Sequence, residues 1–177
     1  MQETDERTLI ERARKEPEAF AELYQHYLPR VYRYLYLRLG NQHDSEDIAS
    51  QVFIELLNGL RQNKYRETGC FPAWLFTIVR RRLVDFRRHR PALEVNEAQG
   101  FDLDLLEQVQ SQEDVKRLEA LVARLDGEKQ ELLRLRFAAE LSFAEIAALE
   151  GQSEGAVKMS VYRAIQWLRE RWVAEDE

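Results

Sequence analysis

Apolar residues recur three and four positions apart along most of the chain, and no stretch holds the strict alternation of a half-buried strand. The pattern predicts an all-α protein. A short first helix is expected over about Glu6–Lys15. Pro17 suits the first turn of a second helix, where its missing N–H costs nothing, and Gly40 suits the left-handed cap after Leu39. Pro29 lies inside that helix and predicts a kink or break. A third helix opens at Asp44 or Ser45 and lines up Ile48, Val52, Phe53, Leu56, Leu57 and Leu60 on one face.

Residues 61–71 interrupt the period and read as a loop. Pro72 restarts a helix whose stripe is Trp74, Leu75, Ile78, Val79, Leu83 and Phe86, and Pro91 ends it. Residues 91–113 carry no clean period and read as a linker. Periodicity resumes at Asp114 with Val115, Leu118, Val122 and Leu125, stopping at Asp126–Gly127. Further helices are expected at about Glu128–Ala138, Phe143–Leu149 and Glu154–Trp172. The expected organisation is two small helical domains, 1–90 and 114–177, joined by an acidic linker at 91–113.

Charge sharpens this division. Residues 61–90 hold nine Lys/Arg against Glu67 and Asp85, a net of +7, whereas residues 91–115 hold seven acids and no base, a net of −7. The whole chain of 177 residues carries −6, so bulk charge does not attract it to nucleic acid. The basic segment nevertheless interleaves Lys64, Tyr65, Arg66, Phe71 and Trp74 with Arg80, Arg81, Arg87 and Arg88. Aromatic rings that stack on unpaired bases, beside cations that track phosphates, are what a single-stranded DNA surface needs. Trp74, spaced four residues from Ile78, is at that spacing more often core than stacking platform, and an arginine-rich helix face is usually just solvated.

The sharpest local motif lies near the C-terminal end. Ser142 and Glu145 have the spacing of a capping box, Gly151 can supply a positive φ, and Ser153 can cap the next helix. Ala147, Gly151 and Val157 are then small, turning and packing residues at the spacing of a helix-turn-helix. A plain helical hairpin is the bland alternative. On the second helix Val157, Val161, Ile165, Leu168 and Trp172 form the inner seam. Gly155, Ala156, Met159 and Arg163 point outward, flanked by Lys158, Ser160 and Tyr162.

Other chemistries find little support. The sequence offers no catalytic residue set: His26, His43 and His89 are scattered, and no glycine-rich phosphate loop is present. Asp44, Glu46 and Asp47 are better explained by a helix start than by phosphoryl transfer. Lone Cys70 reads as a small buried or half-buried thiol in a reducing cytosol. No metal, cofactor or small-molecule substrate is expected. No apolar run approaches the ~20 residues of a bilayer span, and the N-terminus lacks a signal-peptide core, so the expected location is cytoplasmic without membrane insertion.

Four motifs in order make the chain resemble the extracytoplasmic-function (ECF) group of bacterial RNA polymerase sigma factors. Phe20-Ala-Glu-Leu-Tyr through Tyr34 looks like the opening helix of the family's first domain. The stretch from Asp44 to Leu56 looks like its polymerase-docking helix, and that from Trp74 to Arg88 like its promoter-melting helix. The helix-turn-helix looks like its −35-reading module. The resemblance implies region 2-like and region 4-like domains and a factor without chemistry of its own, which lends promoter specificity to core RNA polymerase.

It also implies roles. Asp47, Gln51, Phe53 and Glu55 would lie on or beside the polymerase-docking surface. Lys64, Tyr65, Arg66 and Phe71 would hold a flipped −10 base, Trp74 would belong to the same −10 and melting surface, and Arg80, Arg81, Arg87 and Arg88 would meet phosphates. Ser153, Glu154, Gly155, Lys158, Met159, Ser160, Tyr162 and Arg163 would meet the −35 duplex. The acidic linker would occupy a channel built for nucleic acid, and an anti-sigma factor is the expected inhibitor. Four positions depart from the family pattern: Ser50 for a common Gln, Arg81 for a common Asn, and Met159-Ser160 for a common Ser-Arg pair. A stand-alone helix-turn-helix regulator that binds duplex DNA as a dimer is the alternative.

Overall fold

A computed structural model describes residues 3–65, 70–89 and 112–174, and among them every regular element is helical. Four helices form the first group: α1 (Glu3–Ala13), α2 (Pro17–Leu39), α3 (Gln42–Arg61) and α4 (Phe71–His89). The second group is α5 (Gln112–Ala123), α6 (Gly127–Leu133), a π-helical turn (Arg134–Ala138), α7 (Phe143–Glu150) and α8 (Glu154–Ala174). Most of the expected linker, and Arg66, lie outside the described residues.

The boundaries follow from local chemistry. Gly40 ends α2 at φ 66°, and its N–H donates to the Tyr36 carbonyl. Asn41 caps α3 two residues earlier than expected: its Oδ1 accepts from the Asp44 N–H at 3.0 Å, and the Ser45 hydroxyl donates to the Asn41 carbonyl at 2.6 Å. Pro29 does not break α2, which runs unbroken through it. Its ring deprives the Gln25 carbonyl of a helical donor, but both residues are exposed, so water can serve that oxygen. Burial of Leu23, Tyr27, Val31, Tyr34 and Leu35 on the opposite side, each at most 1% exposed, outweighs the loss.

The first core stacks that α2 seam on Ile48, Val52, Leu56 and Leu60 of α3 and on Leu75, Phe76, Val79 and Leu83 of α4. Phe76 is fully buried and belongs to the core although the expected stripe omitted it; Trp74 and Phe86 are only half-buried. In the second group Leu121, Leu132, Leu133, Ile146, Val157, Val161 and Leu168 are buried. Ala164 is buried as well, whereas Ile165 and Trp172 are half-buried.

The helix expected over Glu128–Ala138 changes character at Arg134. The Ala139 N–H reaches back to the Arg134 carbonyl at 3.0 Å, and the Leu141 N–H to the Leu135 carbonyl at 3.0 Å. This wide turn ends in Glu140, a non-glycine residue at φ 54°. It leaves the terminal carbonyls needing donors, which the second group does not supply alone.

The two groups are packed against each other, α4 on α7 and α2 on the π-helical turn. Buried apolar residues of both groups belong to one continuous core, and polar bonds add to their contact. Arg30 donates from Nε to the Ala139 carbonyl at 2.8 Å and from a terminal nitrogen to the Glu140 carbonyl at 2.9 Å. Arg33 donates to the Ala138 carbonyl at 3.2 Å and pairs with the Glu140 carboxylate. Arginines thus cap a helical C-terminus in another part of the chain, where their charge also meets the negative end of the dipole.

Candidate nucleic-acid interface

The helix-turn-helix is built as its motif implies. Ser142 Oγ accepts from the Glu145 N–H at 3.2 Å while Glu145 accepts from the Ser142 N–H at 2.6 Å, closing the capping box. Gly151 sits at φ 65° in the turn. Ser153 Oγ accepts from the Ala156 N–H at 3.2 Å and starts α8. Val157 and Val161 pack inward, which turns Glu154, Gly155, Lys158, Met159, Tyr162 and Arg163 to solvent; Ser153 is exposed and Ser160 half-buried.

Tyr162 is held in place from two sides. Its ring lies 5.9 Å from Phe143, and Lys158 Nζ lies 5.8 Å above it, while the Arg136 guanidinium covers Phe143 at 5.0 Å. Met159 and Tyr162 are each 51% exposed, unusual for such apolar groups. The outer face of α8 therefore mixes one ammonium, one guanidinium and two large apolar surfaces.

A second surface forms where α3, the 62–65 turn and α4 meet. Tyr65 and Phe71 are buried, with ring centroids 5.3 Å apart at 89°, and Phe71 also touches Tyr27 at 5.4 Å. They act as a wall: Trp74, 5.3 Å from Tyr65, is the half-buried ring of the group. Arg14, in the turn after α1, braces this turn from behind by donating to Asn63 Oδ1 at 2.9 Å and to the Tyr65 carbonyl at 3.4 Å.

In front lies a cavity of about 150 Å³ lined by Glu55, Asn58, Gly59, Lys64, Trp74, Thr77, Ile78 and Arg81. That volume is below the ~300–1,000 Å³ of drug-sized sites and suits part of one flat ring. A Cβ at Gly59 would stand 3.0 Å from the Trp74 ring, so the glycine is what lets the indole lie against α3. Asn58 and Thr77 add amide and hydroxyl groups that periodicity could not single out, because they come from different helices.

The expected arginines separate into different environments. Arg81 and Arg88 are exposed, although Arg81 also pairs with Glu55, as does Arg82 at 2.7 Å. Arg87 is half-buried and donates to the Arg38 carbonyl at 3.3 Å. Arg80 does not face solvent alone: it binds Glu131 at 3.0 Å and also Glu150, both in the second group. Burial opposes its charge, but the bonds to Glu150 and the nearby Tyr34 and Glu131 hold it above the usual arginine range.

Glu131 is the centre of this contact. Tyr34 donates to it at 2.5 Å and Arg38 at 3.2 Å, while Arg134 stands 3.7 Å away. Burial, then the Glu131 carboxylate, pushes the Tyr34 hydroxyl far above its ordinary range. Neither Tyr34, Arg38 nor Glu131 carries a local sequence signal, since their partners lie 93 and 97 residues away.

On the remaining face, α3 presents Asp47, Ser50, Gln51 and the 63%-exposed Ile54 in one outward stripe. Phe53 is in the core, edge-on to Tyr24 at 4.6 Å, and Glu55 is engaged by the α4 arginines. A cleft of about 340 Å³ beside the stripe is lined by Tyr24, Leu28, Pro29, Tyr32, Glu46, Ala49 and Ser50. Cys70 is half-buried, and the described residues hold no cluster of metal-ligating side chains.

A helical group with a cavity lined by Trp74 is thus packed on a helix-turn-helix group. The Sigma-70 region 2 family model matches residues 23–91, and the Sigma-70 region 4 model matches residues 116–168. The ECF RNA polymerase sigma factor BldN of Streptomyces coelicolor is 38% identical over 168 residues, covering 90% of this chain. This chain spans 63% of BldN's length. The ECF RNA polymerase sigma factor ShbA of Streptomyces griseus is 30% identical over 167 residues, covering 86% of each chain. The chain belongs to the ECF RNA polymerase sigma factors. The fold resembles that of CnrH in its complex with the cytosolic domain of CnrY, with a TM-score of 0.64, 22% identity and 95% and 97% coverage of the two chains.

Proposed function

We propose that this protein binds core RNA polymerase and directs it to promoters by holding a melted −10 strand on its first domain and a −35 duplex on its second. The observation that carries this reading is the pairing, in one chain, of a cation-rimmed cavity lined by Trp74, which Tyr65 and Phe71 back, with the outward face of α8. Domains spanning about residues 1–90 and 114–177, with an acidic linker at 91–113, fit that division of labour.

In the first domain a flipped base enters the cavity against Trp74. Unstacking it costs a few kcal/mol, and stacking returns about 1–3 kcal/mol, so the hydrogen-bonding groups of Asn58, Thr77 and Lys64 supply the remainder. Tyr65 and Phe71 act through Trp74 by fixing its position. Arg81 and Arg88 meet the strand's phosphates, with Arg87 beside them, and Arg66 serves the same strand. In the second domain the N-terminus of α8 and Ser153 meet the backbone, Lys158 and Arg163 supply charge, and Met159 and Tyr162 offer apolar contact to base edges. Glu154, Gly155 and Ser160 complete that face.

The stripe Asp47, Gln51 and Ile54 docks on the polymerase, with Phe53 shaping it from beneath. Glu55 contributes from the edge while it restrains Arg81 and Arg82. The apolar exposure of Ile54 in free protein also favours a covering inhibitor, an anti-sigma factor, in the cytoplasm where polymerase works.

In vitro transcription with purified core polymerase and a promoter library tests the reading. Promoter-dependent transcripts that require this chain are expected. Their absence with every library, together with tight palindromic duplex binding by the protein alone, would replace it with a stand-alone regulator.

A further inference from the structure

Five large apolar side chains are exposed among the described residues: Ile54, Val84, Met159, Tyr162 and Val173. Ile54 belongs to the docking stripe, Met159 and Tyr162 to the outer face of α8, and Val173 to that helix's last turn. Val84 stands apart from these in the C-terminal half of α4, 47% exposed. Folding does not account for it: a β-branched side chain loses rotamer freedom in a helix, and nearly half of this one faces water. Single exposed apolar residues are common, so what surrounds Val84 decides whether it has a use.

From Phe71 to Arg88 the exposed residues of α4 are Thr77, Arg81, Val84 and Arg88. Their spacings of four, three and four residues bring them within about 60° of one another around the helix axis. Thr77 and Arg81 also line the cavity beside Trp74, so Val84 continues that surface, about 10 Å along the axis from Thr77. Arg80, Arg81, Arg87 and Arg88 stand three or four residues from Val84 on either side, the positions that adjoin it on a helix. Of these, Arg81 and Arg88 stay exposed, and Glu55 restrains Arg81. Guanidinium groups that hold phosphates bring base edges down between them, and the apolar group at their centre meets a base. The thymine methyl is the apolar group that base edges offer. At about 3.4 Å per step along a strand, 10 Å is about three base steps. We propose that Val84 is a specificity-determining residue that packs on a thymine methyl about three base steps from the base held at Trp74, with Arg81 and Arg88 fixing the strand on either side of it.

Val84 has this role only if the promoter-binding reading holds, yet the two fail separately. Selection from a promoter library, with core polymerase and the full wild-type chain, identifies the thymine. Templates then carry either thymine or deoxyuridine there, which differ by the methyl alone. Wild type is expected to produce about three- to fivefold more transcript from the thymine template, the value of one buried methyl group. Val84→Ala should erase that preference, and Val84→Ile should retain it. The unfolding midpoint of Val84→Ala should stay near that of wild type, because alanine's helix propensity offsets the small apolar area lost. Arg88→Ala should instead weaken both templates alike and reduce the salt slope by about 1.

A thymine preference that persists in Val84→Ala overturns the assignment, as does a wild-type chain that selects no methyl-dependent thymine in the −10 region. Weakened binding of Val84→Ala to core polymerase in the absence of DNA would make the side chain a protein-docking group, and overturns it too. Promoter-dependent transcription alongside any of these results leaves the proposed function standing and removes only the thymine contact. If no library yields a promoter-dependent transcript, both fall.

Discussion

The Tyr34 hydroxyl donates to the Glu131 carboxylate at 2.5 Å, joining α2 of the first helical group to α6 of the second. The Tyr34 ring is core, edge-on to Phe76 at 5.5 Å, so one residue serves both the interior and the domain contact. Tyr34→Phe keeps the ring and removes the bond, leaving Glu131 with Arg38 and Arg80. A loss of about 1–2 kcal/mol of stability is expected, read as a lower urea midpoint.

The same hydroxyl makes an alkaline prediction. Its folded-state pKa is raised above the ordinary 10.0 by burial and Glu131, so its contribution is complete below pH 10 and is lost as pH rises beyond it. Urea denaturation at pH 8 and pH 11 should show a shallower alkaline decline for Tyr34→Phe than for wild type, by up to about 1.4 kcal/mol per pH unit. Equal slopes would show that the hydroxyl ionises as freely folded as unfolded.

Gly59→Ala places a methyl 3.0 Å from the Trp74 ring. Helix propensity favours alanine by about 1 kcal/mol, and displacing a packed indole costs about 1–3, so stability should change by less than about 2 kcal/mol. The indole must move, however, and binding of a −10 strand with polymerase present should fall about three- to tenfold through weakened stacking. Unchanged strand affinity and unchanged tryptophan emission would remove Trp74 from the base cavity.

Gly151→Ala isolates backbone strain, because a Cβ there meets nothing within 4 Å while φ is +65°. The left-handed penalty of about 1–2 kcal/mol should lower the melting temperature by about 2–8 °C. A calorimetric scan checks it, and an unaltered midpoint would mean that the turn tolerates a side chain.

On α8 charge and shape should separate experimentally. Lys158→Ala should weaken −35 duplex binding about equally across sequences and reduce the salt slope by about 1. Met159→Ala should leave that slope unchanged and relax selection at a base whose edge offers a methyl, as thymine does. Selection from randomised duplexes at two salt concentrations distinguishes the two, and a Met159→Ala profile identical to wild type would deny it a reading role.

Much of the architecture was legible because its causes are local. Capping at Ser142, left-handed glycines at 40 and 151, and the inward spacing of Val157 and Val161 are all decided within a turn or two of helix. The aromatic–basic segment was legible too, but as composition rather than arrangement. Spacing could not reveal that Tyr65 and Phe71 are buried walls behind Trp74, since that depends on α1 and α2 closing over them. Nor did periodicity indicate the π-helical turn at 134–138, whose carbonyls find donors in Arg30 and Arg33 more than a hundred residues earlier.

The sequence by itself determined the helices, the helix-turn-helix and the family, because hydrophobic period, caps and turn residues act over three to eight positions. Only the tertiary structure decided which cations are available. Arg80 and Arg81 are neighbours in sequence, yet one helical step of 100° turns the first into the second domain's carboxylates and leaves the second on the exposed rim of the cavity beside Trp74. Direction around a helix axis is fixed locally. What stands opposite is fixed only when the domains meet.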